Sequence, residues 1–75
     1  MMTFEEMVAK NISDWIGYSG KSKSLIGREV GLHGNTVGQF AAGKALPSLK
    51  SFKKLCKSLE CEYSDLLGRV EDDVI

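Results

Sequence analysis

The amino-acid sequence predicts an all-α fold, a compact bundle of five short helices. Apolar residues recur three and four positions apart in successive segments, which is the spacing of one helix face. Short breaks that contain glycine, proline or a capping residue separate these segments. No segment alternates apolar and polar residues as a half-buried strand does. The 75 residues suit one domain, which we place over 1–68 and expect to be followed by an acidic tail over 69–75.

The first helix is predicted to begin at Phe4. Thr3 followed by Glu6 fits a capping box, in which each residue satisfies a free backbone N–H of the other. Gly17 and Gly20 are expected to close this helix, because glycine is the usual residue at a helix end. Its apolar face comprises Phe4, Met7, Val8, Ile12, Trp15 and Ile16.

The second helix is predicted over 23–30 and the third over about 34–42. Ser22 is a suitable N-cap for the second helix, since its hydroxyl can accept a hydrogen bond from the first turn. Gly31 and Gly43 are expected to end the two helices.

Only residues 31–33 join these two helices, which is too few for antiparallel packing. A three- or four-residue turn with glycine crosses two helices at a steep angle, the helix-turn-helix arrangement. Gly31 is expected to supply the positive φ of that turn. A side chain at Gly27 would hold the crossing helices apart, so we expect the closest contact there.

The fourth helix is predicted over 49–59 with Ser48 as its N-cap, and a short fifth helix around 63–67. The predicted buried stripe of the fourth helix comprises Leu49, Phe52, Leu55, Cys56 and Leu59.

Composition excludes several classes of protein. Cys56 falls on an apolar stripe and no secretory signal precedes it, so Cys56 and Cys61 are expected to be buried or half-buried free thiols in a reducing cytosol. A zinc site is not expected, because the only histidine, His33, lies more than twenty residues away and there is no third sulfur. No apolar run approaches the roughly 20 residues of a membrane span. No carboxylate pair, Ser/His/Asp set or nucleotide-binding loop indicates an enzyme. We expect neither a cofactor nor a membrane partner.

Basic residues are concentrated in the middle of the chain. Residues 21–57 hold eight of the ten lysines and arginines and a single acidic residue, Glu29, for a formal net charge of +7. Residues 1–20 carry −2 and residues 58–75 carry −5, so the net charge of zero conceals a basic segment between acidic ends. Such a segment favours a polyanionic partner such as nucleic acid.

Residues 22–67, "SKSLIGREVGLHGNTVGQFAAGKALPSLKSFKKLCKSLECEYSDLL", resemble the helix-turn-helix domain of the lambda-repressor/Cro family of phage and bacterial transcriptional regulators. The resemblance rests on family spacing at Ile26, Gly27, Val30, Gly31, Leu32, Val37, Phe40, Gly43, Lys44, Pro47, Ser48, Leu49, Leu55, Leu59, Leu66 and Leu67. It implies a five-helix fold whose third helix reads double-stranded DNA, in the cytoplasm of a bacterial cell or a phage-infected host. Ile16 and Ala41 stand where many members have an Arg–Glu ion pair; an apolar contact is a sound substitute because no charge is left unpaired.

The exposed face of the third helix is predicted to hold the base-reading residues. Asn35 and Gln39 lie one helical turn apart, and their amides suit bidentate hydrogen bonding to adenine in the major groove. Thr36 can reach a phosphate or a thymine methyl group. Gly34 and Gly38 lack side chains that would hold the helix away from the groove floor. The alternative is an ordinary solvated polar face.

Contacts with the DNA backbone are expected from Lys23, His33, Gly34, Lys44 and Lys50. Lys23 begins the second helix, where the resemblance implies a phosphate contact, and Lys44 follows the third. His33 either touches phosphate or helps to cap the third helix. The remaining lysines of the fourth helix, Lys53, Lys54 and Lys57, form either a solvated face or a source of electrostatic steering.

Two functions remain open on the sequence. The first is a phage-type repressor or Cro-like regulator that binds a palindromic DNA operator as a homodimer, weakly paired without DNA, through an interface at Tyr63, Leu67 and Val70. The second is a protein-binding module of the same fold, such as an antitoxin or antirepressor-like partner, which the zero net charge favours.

Overall fold

A computed structural model describes residues 2–68, and within this range the chain forms five α-helices and no β-strand. The helices are α1 (Phe4–Ser19), α2 (Lys23–Val30), α3 (Gly34–Ala42), α4 (Leu49–Leu59) and α5 (Tyr63–Leu67). The predicted all-helical class is confirmed, and so are the predicted bounds of α2 to α5.

The prediction that Gly17 helps to close α1 is wrong. The helix continues through Gly17 to Ser19 and ends at Gly20, which has a φ of +70°. Gly17 lies inside the helix, and its carbonyl accepts the hydrogen bond from the Gly20 N–H at 3.3 Å.

Three of the described helices, α1, α2 and α4, begin where a serine or threonine side chain satisfies a free N–H group. The Thr3 hydroxyl accepts a hydrogen bond from the Glu6 N–H at 3.1 Å, and the Glu6 carboxylate accepts one from the Thr3 N–H at 2.9 Å. Ser22 and Ser48 cap α2 and α4 through the same hydroxyl contact with the N–H three residues later. These three caps were predicted, and the structure confirms them.

One apolar core joins all five helices. α2 packs on α3 and α4, and α1 packs on α3 and α5. Ile16 is buried in the core, and Ala41 is partly buried and packs against the core. Two apolar residues therefore occupy the positions where many members of the family that the sequence resembles have an ion pair. The core residues are Val8, Ile12, Ile16, Ile26, Val30, Val37, Phe40, Phe52, Leu55, Cys56, Leu59 and Leu66.

The predicted apolar faces are wrong at two helix starts. Leu49, expected in the buried stripe of α4, is 91% exposed, and Phe4, at the start of α1, is half exposed. Each is the first residue of its helix, at the end where packing against the rest of the domain leaves the side chain half or almost fully exposed. Helical spacing identifies a face of a helix but does not say how far along its length that face is covered.

Both cysteines are free, Cys56 buried and Cys61 half-buried, as the sequence predicted. Burial raises the pKa of Cys61 to about 12, with a further contribution from the adjacent Cys56. Burial also raises the pKa of Cys56. Both thiols are therefore protonated at neutral pH and are poor nucleophiles.

A polar cluster that the sequence did not predict joins α2 to α4. The Lys21 ammonium donates to the Glu29 carboxylate at 2.9 Å and to the Ser58 carbonyl at 2.6 Å. The Ser58 hydroxyl donates to the same Glu29 oxygen at 2.6 Å. The hydrogen bond from Ser58 is the main cause that lowers the pKa of Glu29. The hydrogen bond from Lys21 is the second-largest cause and acts in the same direction.

In the part of the chain that the structure describes, no helix has both the length and the apolar character needed to cross a bilayer. The same residues contain no group of three or more His, Cys, Asp or Glu side chains placed to hold a metal ion.

Candidate functional site

The candidate site is built on the contact between α2 and α3, which is closest at Gly27. A Cβ at this position would lie 2.6 Å from the Leu32 carbonyl oxygen and 3.0 Å from the Gly34 nitrogen, so no side chain fits. The turn between the helices begins at Gly31, whose φ is +77°, and the Leu32 N–H donates to the Gly27 carbonyl at 2.7 Å. The predicted roles of Gly27 and Gly31 are therefore confirmed.

A second close contact, which the sequence did not predict, involves Gly34. A Cβ at Gly34 would lie 3.1 Å from both Cα and Oγ of Ser24, near the start of α2. Gly34 therefore allows the first turn of α3 to pack directly on α2. This packing role is separate from its predicted place at the DNA backbone, which stays a prediction.

Gly38 has different surroundings from Gly27 and Gly34. A Cβ there would have one near neighbour, Cδ of Lys23, at 3.8 Å, which is ordinary van der Waals contact. Neither backbone geometry nor helix packing requires a glycine at this position. The contact shows that the aliphatic part of Lys23 extends from α2 along α3. The structure therefore brings this lysine next to the predicted base-reading helix.

The outer face of α3 is polar and available for binding. Val37 and Phe40 are buried, whereas Asn35 and Gln39 are exposed and Thr36 is half-buried. Within residues 2–68 the side chains of these three polar residues form no hydrogen bond. Each amide therefore retains both a donor group and an acceptor for a ligand.

His33 does not cap α3 with its side chain. It occupies the N-cap position with extended backbone geometry, but its imidazole forms no capping hydrogen bond. The capping alternative for the side chain is wrong, because the helix begins from backbone geometry alone. The ring is exposed at the start of α3.

The other two predicted backbone-contacting residues lie beyond α3. Lys44 is exposed immediately after the Gly43 cap, and its N–H donates to the Gln39 carbonyl at 2.9 Å, which ties it to the last turn of α3. Lys50 is exposed as the second residue of α4, a helix that packs mainly on α2. Lys44 is thus directly connected to the α3 face, whereas Lys50 belongs to a neighbouring element.

The charges of the basic segment are almost all unpaired. Its single carboxylate, Glu29, is engaged by Lys21. In the described part of the chain, every remaining charge of residues 21–57 is a lysine or arginine without an ion-pair partner. The positive charge read from the sequence is therefore present on the surface.

Two of the three predicted interface residues, Tyr63 and Leu67, line an apolar groove. The groove has a volume of about 250 Å³. Tyr63 is 51% exposed, and its ring stacks on buried Phe52 with 6.3 Å between centroids. Leu67 also lines the groove, whereas Val70 lies outside the described residues. Nothing in the sequence pattern indicated the other lining residues at the surface, which are exposed Phe4, Leu46 and Leu49 and half-buried Pro47.

In comparisons with known proteins, no family model, no curated protein and no solved structure matches this chain.

Proposed function

We propose that this chain is a sequence-specific double-stranded DNA-binding transcriptional regulator of the lambda-repressor/Cro type. In this proposal α2 and α3 form the helix-turn-helix, and α3 enters the major groove. The observation that carries the proposal is the pair of exposed amides, Asn35 and Gln39, with no hydrogen bond inside the described domain. The close packing of α2 on α3 at Gly27 and Gly34 supports it, because that packing leaves the opposite face of α3 free.

Amide side chains are suited to reading adenine, since one amide can donate to N7 and accept from N6 of the same base. Asn35 and Gln39 are four residues apart, about 6 Å along the helix axis. Successive base pairs lie about 3.4 Å apart along the duplex, so the two side chains can address base pairs one or two steps apart. Thr36 lies between them and can contact a phosphate or a thymine methyl group.

Backbone contacts in the proposed complex come from lysines on both sides of α3. Lys23 lies at the first turn of α2, where free N–H groups already attract phosphate, and its stem runs beside Gly38. Lys44 follows the last turn of α3. Phosphate contacts of this kind orient a protein on the duplex and supply much of the affinity.

The proposed regulator binds as a homodimer, because one α3 offers only two or three base-reading side chains. Two copies on a palindromic operator place their half-site centres about 10 base pairs, or roughly 34 Å, apart. Tyr63 and Leu67 line the groove, to which no residue of α3 contributes, and so can form the interface while both copies contact DNA.

The test is selection of bound sequences from random double-stranded DNA, followed by gel shifts over a range of salt concentrations. We expect a palindromic consensus with A·T pairs opposite Asn35 and Gln39. The selected sequence should bind at least about a thousandfold more tightly than a scrambled one. Recovery of no consensus, together with equal binding of both sequences, would contradict sequence-specific recognition.

The second candidate function is a protein-binding module of the same fold. The exposed apolar groove favours it, as does the net charge of zero. Absence of any DNA binding at low salt, where phosphate contacts are strongest, would favour this candidate over the first.

A further inference from the structure

The end of α4 brings the two cysteines of the chain together. Cys56 lies in the last part of the helix, and Cys61 follows the cap residue Glu60. The Glu60 N–H donates to the Lys57 carbonyl at 3.3 Å, and the Cys61 N–H donates to the Cys56 carbonyl at 3.0 Å. These two hydrogen bonds define a Schellman cap, in which the side chains of the first and last residues frequently contact each other. In this cap both of those residues are cysteines.

Glu60 holds the cap in a conformation that is unfavourable for a residue with a side chain. Its φ is +56°, and within residues 2–68 it is the one residue other than glycine with a positive φ. Glycine is the usual residue here, and α1, α2 and α3 each end at a glycine in this conformation. Because glutamate does not favour the turn, contacts on either side of it hold the turn in place. The contact between Cys56 and Cys61 is one of them.

The geometry of the two cysteines fits a disulfide bond. Their main-chain hydrogen bond of 3.0 Å limits the distance between the two Cα atoms to about 7 Å or less. Two cysteines can be joined only within about this limit. The thiols also interact directly, since a hydrogen bond between them contributes to the pKa of both Cys56 and Cys61. The two sulfur atoms can therefore meet through rotation of the side chains.

The two thiols differ in their access to solvent. Cys56 is 7% exposed, whereas Cys61 is half-buried. Both line a surface cavity of about 590 Å³, whose charged lining residues are Lys53, Lys57 and Glu62. Two lysines against one glutamate give this cavity a positive charge, which attracts an anionic reactant. A small anionic disulfide such as oxidised glutathione can therefore reach Cys61, while Cys56 is almost fully covered.

We propose that Cys56 and Cys61 form a reversible disulfide by exchange with a small disulfide such as oxidised glutathione. The Cys61 thiolate attacks one sulfur of glutathione disulfide, which forms a mixed disulfide and releases one glutathione thiolate. The Cys56 thiolate then attacks the Cys61 sulfur, which forms the internal disulfide and releases the second glutathione thiolate. The two protons lost by the cysteines pass to the two glutathione thiolates. The protein is thus oxidised by two electrons, glutathione disulfide is reduced, and excess reduced glutathione reverses both steps.

The disulfide would join the end of α4 to the segment that leads into α5. Cys61 lies two residues before Tyr63, the first residue of α5. Tyr63 lines both the cavity beside the cysteines and the apolar groove. Oxidation therefore fixes the start of α5 and, with it, one wall of the groove. This effect does not depend on the proposed function.

The test incubates the chain for hours in glutathione buffers with an increasing proportion of the oxidised form, because exchange of protonated thiols is slow. The same titration in concentrated urea, where the cap is absent, is the reference. After acid quenching, mass spectrometry identifies the products. Trypsin cleaves after Lys57, which lies between the cysteines, so their two peptides stay joined only through a disulfide. Cys56→Ser and Cys61→Ser are the matched variants, and circular dichroism establishes that each is folded.

We expect one intramolecular disulfide in the folded wild-type chain. It should form at a proportion of oxidised glutathione at least about tenfold lower than in urea, because the cap already holds the thiols together. Cys56→Ser should accumulate a mixed disulfide at Cys61, whereas Cys61→Ser should stay unmodified because its remaining thiol is covered.

An equal or higher proportion for the folded chain than for the chain in urea would overturn the inference, and so would a mixed or intermolecular disulfide as the main product. The wild-type titration decides this even if a serine variant fails to fold. Modification of Cys61→Ser as fast as Cys56→Ser would overturn the order of the two steps. The measurement contains no DNA, so a failure of the proposed function would leave its result intact.

Discussion

Gly27, Gly34 and Gly38 illustrate how differently three glycines in neighbouring short helices are used. The first two face backbone atoms of the crossing helix segment at 2.6–3.1 Å, where a side chain cannot enter without displacing main chain. Gly38 faces only the flexible stem of Lys23. A glycine here destabilises the helix by about 1 kcal/mol relative to alanine, and helix packing does not explain why this position is a glycine. Close approach of α3 to a ligand is the reason that the proposed function supplies.

We predict opposite effects on stability for two alanine substitutions. Gly27→Ala should lower the free energy of unfolding by about 1–3 kcal/mol, because the new Cβ overlaps the Leu32 carbonyl. Gly38→Ala should raise it by about 0.5–1 kcal/mol, because alanine fits there and favours the helix. Urea denaturation measures both. Gly17→Ala, in open space on α1, is the control for helix propensity alone. An unchanged midpoint for Gly27→Ala would show that the crossing is not tight.

At Gln39 we predict an effect on recognition and none on stability. Gln39→Ala should weaken binding to the selected operator by about 1–3 kcal/mol and relax the preference at one base pair per half-site. The side chain is exposed and forms no intramolecular hydrogen bond within the described residues, so the melting temperature should not change. Gel shifts with the operator and with scrambled DNA provide the measurement. If binding to both DNAs falls equally, Gln39 does not read a base.

Glu29 provides a prediction about pH. Its hydrogen bond from Ser58 lowers its pKa below the ordinary value of 4.5, so the folded state favours the charged carboxylate. The associated stabilisation is present above pH 4.5 and is lost as the pH falls through the lowered value. An NMR titration should find a pKa below 4.5 in the wild type and one nearer 4.5 in Ser58→Ala. Lys21→Ala should move it less, because the Ser58 hydrogen bond is the larger cause. An equal pKa in wild type and Ser58→Ala would contradict this account.

At the scale of elements, α2 and α3 act as one unit because Lys23 lies alongside α3. The Lys23 stem contacts the Gly38 position, and the Lys44 N–H is bonded to the last turn of α3. The basic groups proposed to hold phosphate are thus attached to the element proposed to read bases. A shift of α2 relative to α3 would therefore change the position of the Lys23 ammonium relative to the base-reading side chains.

We predict that Lys23→Ala and Lys44→Ala each weaken binding to every DNA sequence and reduce the salt slope by about one unit. The physical reason is that each lysine releases roughly one counterion from a phosphate. Lys57→Ala is the matched control, since it removes the same charge from the outer face of α4. The slope comes from binding constants measured over a range of salt concentrations. An unchanged slope for both test variants would place the DNA face elsewhere.

At the scale of the whole molecule, binding surfaces of different character occupy different parts of the domain. Lys23 and Lys44 lie beside α3, whereas the apolar groove lies among the starts of α1, α4 and α5. Such separation allows one copy to contact DNA and another copy at the same time. The net charge of zero hides this arrangement, because the acidic residues lie mainly in residues 1–20 and 58–75.

The dimer proposal predicts a dependence on operator spacing. Insertion of about five base pairs between half-sites rotates one by roughly half a turn, so the two copies can no longer meet. Cooperative binding should then be lost, while the affinity for each half-site stays the same. Footprinting titrations on the two operators measure this. Undiminished cooperativity after the insertion would contradict a rigid two-fold dimer.

Much of the fold could be predicted from the sequence because the signals are local. Helix bounds follow from capping residues and glycines within one turn of each end, which is why Ser22, Gly31 and Ser48 mark the observed ends correctly. Gly27 was predictable as well, because a three-residue turn that contains glycine favours a close crossing of the two helices it joins. The sequence also predicted which amides of α3 are exposed. The helical spacing of its apolar residues assigns one face of α3 to the core and leaves the opposite, polar face at the surface.

Only the tertiary structure decided the contacts between residues that are distant in the chain. The local sequence pattern does not predict that Lys23 lies beside Gly38 or that Ser58 donates to Glu29. It also does not predict that Leu49 is exposed at the edge of a groove. Periodicity assigns a side chain to a face, but what covers that face depends on how whole helices pack. The sequence by itself therefore determined the helices and the polar face of α3, and the packing of those helices decided which surfaces remain free to bind.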